Sequence, residues 1–375
     1  MRRTFSQAGI FLVSFLLAFS PLAGSASSIS YLNESQMFTE RDWLQVVDLS
    51  GAETITVADG TDVRITSSGT YVLTGSAREM TVCVEAGKED KIQLVFDSLT
   101  IANTDAACIY VQSADKVFIN LAGDSALSVT GEFRKAGKAD AVIYSEQDLV
   151  LNGIASLAVA SSKSGIFCKD DLKITGGSYT IQAAETCIEA NDSIRISGGD
   201  FMLTAGTDGL HADHGTDDTL GFIYISGGTF IIEAEDDGIH ALSVLQNDGG
   251  TIHIRAWEGI EATVILITGG ALEISASDDG INAGRKSSAY TPSVTFTGGS
   301  VTIIMGQGDT DGVDSNGDII MSGGTVKVIG SHPFDYDGTA RLSGGTLIVN
   351  GEQMSEIPDQ LTNTPDGWGG WRQQP

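Results

Sequence analysis

The stretch GGTFIIEAEDDGIHALSVLQNDGGTIHIRAWEGIEA, residues 227–262, holds the same unit twice. Each copy opens on a Gly-Gly pair. It continues through an alternating segment, Phe230 and Ile232 in the first, Ile252 and Ile254 in the second. It then reaches an acid-Gly-Ile step, Asp237-Gly-Ile-His-Ala or Glu258-Gly-Ile-Glu-Ala. A two-residue period marks a strand with one buried face. A second short strand precedes each glycine pair, as in Ile223/Ile225 and Ile265/Ile267. One unit therefore contains three short strands and three turns, too little to bury its own apolar face.

The unit recurs outward from this stretch. Gly-Gly pairs begin at Gly176, Gly198, Gly227, Gly249, Gly269, Gly298, Gly323 and Gly344. A basic repeat of about 20–22 residues with short insertions is the pattern of stacked coils. Stacking lets small units share a continuous core, with parallel strands ~4.8 Å apart. The sequence thus predicts an all-β chain folded as a single-stranded parallel β-helix. Before residue 150 the glycine pairs stop, but short strands continue at Val63/Ile65, Ile109-Tyr-Val and Val117-Phe-Ile. The expected organisation is a leader at 1–26, a cap segment at 27–50, the solenoid at 51–352 and a loose tail at 353–375.

The leader reading rests on Arg2 and Arg3, the apolar run Ile10–Phe19 and the small residues Ala23 to Ala26. It predicts a secreted or cell-surface protein. No later apolar run is long enough to insert in a membrane. The chain carries 49 Asp and Glu against 21 Lys and Arg, a net charge of −28. That charge excludes nucleic acid as a partner and favours divalent cations. The four cysteines, Cys83, Cys108, Cys168 and Cys187, match no zinc spacing. They read as small core residues, with a Cys168–Cys187 disulfide left open. A monomer is expected.

Aligned on the acid-Gly step, Asp208, Asp237, Glu258, Asp279 and Asp311 form one column, which Asp337 would extend. Three positions later come His211, His240, Glu261, Asn282 and Asp314, all expected on the surface by strand parity. Carboxylates stacked one strand spacing apart repel by roughly 1 kcal/mol per pair even in water. Raised pKa values or bound cations relieve this, and a set of hard oxygen ligands suits Ca²⁺. The candidate metal ligands are Asp208, Asp213, Asp237, Glu258, Asp279, Asp311 and Asp314. Asp217, Asp218, Asn316 and Asp318 are candidates to complete the shells. His211 and His240 lack a third soft ligand for a transition metal. Trp257, His240, Arg285 and Lys286 are candidate sugar contacts. For a lyase, Lys169, Arg255, Arg285 and Lys286 would be the bases, but none recurs with a catalytic partner. No catalytic residue is assigned.

The segments Phe38–Asp42, Gly69–Gly75, Ala139–Tyr144 and Lys169–Gly177, with the Asp-Gly-Ile repeats, resemble the secreted carbohydrate-binding β-helix proteins of cellulolytic clostridia. The resemblance covers nearly all of the chain beyond the leader. It implies a right-handed coil similar to pectate lyases, bound calcium, and binding of acidic (polygalacturonate-like) or cellulosic plant polysaccharide. The rungs at Ser164 and Thr186 lack the column acid and put calcium there in doubt. A non-catalytic, calcium-dependent polysaccharide binder is the expectation. A calcium-dependent pectate lyase and a structural or adhesive surface protein without a glycan ligand are the alternatives.

Overall fold

In the computed structural model, residues 32–134, 139–306 and 310–358 are described. The expected leader and the end of the tail lie outside them. The strands fall into three parallel ladders. One, preceding the glycine pairs, runs from Glu53–Thr56 to Ala340–Leu342. A second, following them, ends at Thr346–Val349, and the long strand Lys91–Asn103 runs through both. The third carries the Asp-Gly steps in 12 strands, from Val63–Ile65 to His332–Tyr336. The chain is therefore an all-β, parallel-sheet solenoid.

The registers follow the sequence pattern. Tyr179, Phe201 and Phe230 pair in consecutive strands. Their buried rings stack with centroids 5.1 and 4.5 Å apart. Ile252, Leu272, Val301, Val326 and Leu347 continue the same inward row. Fully burying one such side chain contributes about 1.5–3 kcal/mol, and each row repeats that gain along the coil.

Two kinds of glycine position are required. The second glycine of each pair turns the chain at positive φ, as at Gly199 (117°) and Gly270 (81°). In the Asp-Gly step the glycine lies inside or beside a strand, so the step is not the turn its composition suggests. A Cβ on Gly238 would meet Ile254 Cγ2 at 2.3 Å and the Gly259 carbonyl oxygen at 2.6 Å. Close approach of the next rung, rather than turn geometry, selects glycine there.

Residues 32–45 do not cap an end of the coil as expected. They run along its side, across the outer face of the first ladder. Leu32 exchanges hydrogen bonds with the Gln246 side chain, and the Phe38 ring lies 6.4 Å from that of Tyr224. The Arg41 guanidinium sits 4.1 Å over the Phe118 ring. Asp42, fully buried, pairs with the buried Lys173 at 3.2 Å. Asn120 and Asn152 donate to carbonyls of this strap. The expected tail boundary also moves. Glu352–Met354 pairs antiparallel with Thr346–Val349, and Ile357 is buried in the core. All four cysteines are free thiols, so Cys168 and Cys187 are not bridged.

Candidate functional site

The Asp-Gly ladder fixes one outward row, rung by rung. It reads Arg64, Cys83, Tyr110, Tyr144, Phe167, Glu189, His211, His240, Glu261, Asn282, Asp314, Asp335. Beside its second half stands the column of acids. Asp237 pairs with Glu258 in register, and the Asp237 and Asp311 N–H groups donate to the carboxylates of Asp208 and Asp279. The next column position after Asp311 is His332, and Asp314 pairs with Asp335. Asp337 thus falls past the strand and does not extend the column. His332 follows Gly324 at the same spacing as Glu258 follows Gly250, so alignment on the Asp-Gly dipeptide, instead of on the glycine pair, misplaced the column there.

Two rungs of the column pair their acid with a histidine. His211 Nδ1 lies 2.6 Å from Asp208 Oδ2, and His240 Nδ1 lies 2.7 Å from Asp237 Oδ2. The imidazoles stack at 4.6 Å. His240 also contacts Glu261 Oε2 at 3.1 Å. An ionised carboxylate only accepts, so Nδ1 carries the proton. Burial opposes that charge, but hydrogen bonds to Asp237 and Glu261 outweigh it and raise His240 to about 10. Asp237, His240 and Glu261 bring three potential ligand atoms within 4.8 Å of one another. With no ion bound, a proton on His240 holds the two carboxylates together; without that proton the group would present two carboxylate oxygens and an imidazole nitrogen to a cation.

Glu261 corrects the surface expectation, being only 5% exposed. Lys286, from the insertion after Gly284, reaches over it and places Nζ 2.7 Å from Oε1. Burial pushes Glu261 up, but the hydrogen bonds and charges of His240 and Lys286 hold it below the usual range. His240 and Lys286, expected as sugar contacts, are therefore ion-pair partners of a buried carboxylate.

Among the described residues, Glu258, Asp279 and Asp314 form no ion pair with a cationic side chain. Burial raises Glu258 to about 8, helped by the charges of Glu261 and Asp237. Asp279 rises to about 7 through burial and the charges of Asp314 and Asp311. Asp314 rises to about 6 through burial and the charge of Asp335. The principal neighbouring charges on all three are negative. These half-buried carboxylates, with Asp311 among them, offer the hard oxygen donors that Ca²⁺ takes, although among the described residues only Asp237, His240 and Glu261 bring three ligand atoms within 4.8 Å of one another.

The other expected ligands lie elsewhere. Asp213 is exposed in the loop after its strand. Asp217 is bonded to Thr219, Asp218 to Ser288, and Asp318 to Thr339. None of these completes a shell. Trp257 is 51% exposed beside Glu258, as a sugar contact requires. Arg285 points to the Asn316 carbonyl and Asp337, and Lys169 pairs with Glu146. The row also holds a stack that sequence reasoning missed, Tyr110–Tyr144–Phe167. Its signal was an aromatic three residues after the corner position, as Tyr144 follows Ala141 and Phe167 follows Ser164.

Among the described residues no helix is long and apolar enough to cross a membrane. A carbohydrate-binding domain-containing protein of Acetivibrio thermocellus is 39% identical over 129 residues, 32% of this chain and 45% of that relative. The match thus spans less than half the length of the relative. A solved structure described as the polysaccharide lyase-like protein from C. thermocellum, a gadolinium derivative, matches with a TM-score of 0.53 and 31% identity. That match covers 56% of this chain and 92% of the other. A family-wide pattern fits residues 59–338, and by that extent the chain belongs to the carbohydrate-binding domain-containing protein family.

Proposed function

We propose that the chain is an exported, non-catalytic polysaccharide-binding protein whose unrelieved carboxylates hold Ca²⁺. On this reading the coil is right-handed, with rungs of about 20–22 residues. The observation that carries it is the run of Glu258, Asp279 and Asp314. All three are half-buried and pushed up, and their strongest charged neighbours are acids. A divalent cation would neutralise them and leave coordination positions open on the outer face. An acidic polygalacturonate-like chain would complete those positions with its own carboxylates, which this surface would otherwise repel.

The residues themselves would orient the sugar, with Trp257 as an exposed stacking face. A lyase would need a basic group free of its proton. Lys286 instead is held protonated; burial lowers it, but the bond and charge of Glu261 raise it further. Lys169 is also raised, by its hydrogen bond to Glu146. Binding without cleavage is therefore the better reading. Polygalacturonate should bind in calcium and be released by chelator, with no rise in ultraviolet absorbance from unsaturated product. Chelator-resistant binding would remove calcium from the account, and a rising absorbance would establish the lyase.

A further inference from the structure

By sequence, His211 and His240 stand one rung apart with no third ligand beside them. The coil supplies one. In the Asp-Gly ladder His240 is in register with Glu261 of the next rung. Asp237, three residues before it, turns to the same ring nitrogen. His240 Nδ1 lies 2.7 Å from Asp237 Oδ2 and 3.1 Å from Glu261 Oε2. Both carboxylates are 5% exposed, so this is an interior group and not a solvated acidic edge. The same pair one rung down, Asp208 and His211, gains no third ligand, because Glu189 turns to the Ser164 hydroxyl.

The donors are held from behind. The His240 ring stacks on His211 at 4.6 Å and 13°. Glu261 is tied through Oε1 to Lys286 Nζ at 2.7 Å and to the Asn282 amide at 3.4 Å, which leaves Oε2 for the histidine. Outer partners of this kind keep metal ligands in place. In a tetrahedral zinc site, with bonds of about 2.0–2.1 Å, the ligand atoms lie about 3.3 Å apart. The contacts from Nδ1 need to open only by fractions of an ångström to reach that spacing. Calcium takes about six to eight oxygens at longer distance. This group offers it too few, and one donor is a nitrogen. Imidazole suits zinc, copper and nickel.

The geometry points to a transition-metal site at Asp237, His240 and Glu261, for a divalent ion of the zinc class with water in the remaining position. The ion takes the place of the proton on Nδ1, which leaves to solvent. One shared metal then holds the two carboxylates that one shared proton held before. This goes beyond the polysaccharide reading and does not depend on it, since the rungs at Asp279 and Asp314 are separate.

The test is calorimetric titration of the full-length, chelator-stripped protein with zinc chloride in excess calcium. One saturable site is expected. His240→Gln and Glu261→Gln should each weaken it more than about 100-fold, beyond the loss of an outer partner. His253→Gln, which removes an exposed histidine–glutamate pair on another ladder, should leave it intact. Should the variants misfold, zinc-edge X-ray absorption of the unaltered protein applies, and one imidazole with oxygen donors should surround the ion. No zinc binding in calcium, binding that survives His240→Gln, or a shell without imidazole overturns the inference. If calcium still binds while zinc does not, this site alone fails. If zinc binds while calcium does not, the site stands and the calcium reading fails.

Discussion

The rungs at Asp208 and Asp237 and those at Asp279 and Asp311 share one strand position, one glycine step and one backbone register, yet they solve the same electrostatic problem differently. The first pair places an imidazole three residues on, so each carboxylate oxygen lies 2.6–2.7 Å from a ring nitrogen. The second pair places Asn282 and Asp314 there, which supply no positive charge. A repeat that preserves the backbone leaves the outward side chain free to decide whether a rung is complete in itself or needs something from solution.

Breaking the neutral half should have the largest effect. His240→Ala leaves Asp237 and Glu261 buried beside each other. Removing one partner of a buried ion pair costs about 3–5 kcal/mol. Denaturant unfolding should show that loss, and calcium should recover part of it, because the variant turns a complete rung into an incomplete one. In the unaltered protein, calcium at about a hundred times its Kd should add about 2.7 kcal/mol. For a chain of this size that is a rise in Tm of several degrees, and chelator should reverse it.

The pH response should sharpen the contrast further. Glu258, Asp279 and Asp314 are raised to about 8, 7 and 6. Ordinary carboxylates titrate near ~4. Between these values the folded chain binds more protons than the unfolded one, so its stability falls as pH rises from about 4 to 8. His240, raised to about 10, adds to the decline above its ordinary value. Thermal unfolding in chelator should therefore give a lower Tm at pH 8 than at pH 5, and calcium should flatten the difference. The smallest effect belongs to Asp213. Being exposed and apart from the column, Asp213→Asn should change stability by less than about 0.5 kcal/mol and leave the calcium response intact.

The coil was legible because its information is periodic. Inward positions such as Ile239 and Ala241, and the column from Asp208 to Asp311, follow from parity and spacing. What the sequence hid was non-local. Asp42 meets Lys173 across 131 positions, and nothing near Asp42 announces that contact. Glu261 is buried because Lys286 folds back from an insertion, so strand parity alone misplaced it. The Asp-His pairing three residues apart was open to reading, but only geometry shows how closely each imidazole meets its carboxylate. The aromatic stack escaped notice because its rungs carry neither the glycine pair nor the acid used for alignment.

The central claim is best tested by calcium titration of chelator-stripped protein in a calorimeter, comparing the unaltered chain with Asp279→Asn/Asp314→Asn and with Asp208→Asn. The account predicts saturable binding to the unaltered chain, abolished by the double substitution and retained by Asp208→Asn. Absence of binding to the unaltered chain, or binding that survives the double substitution, would contradict it.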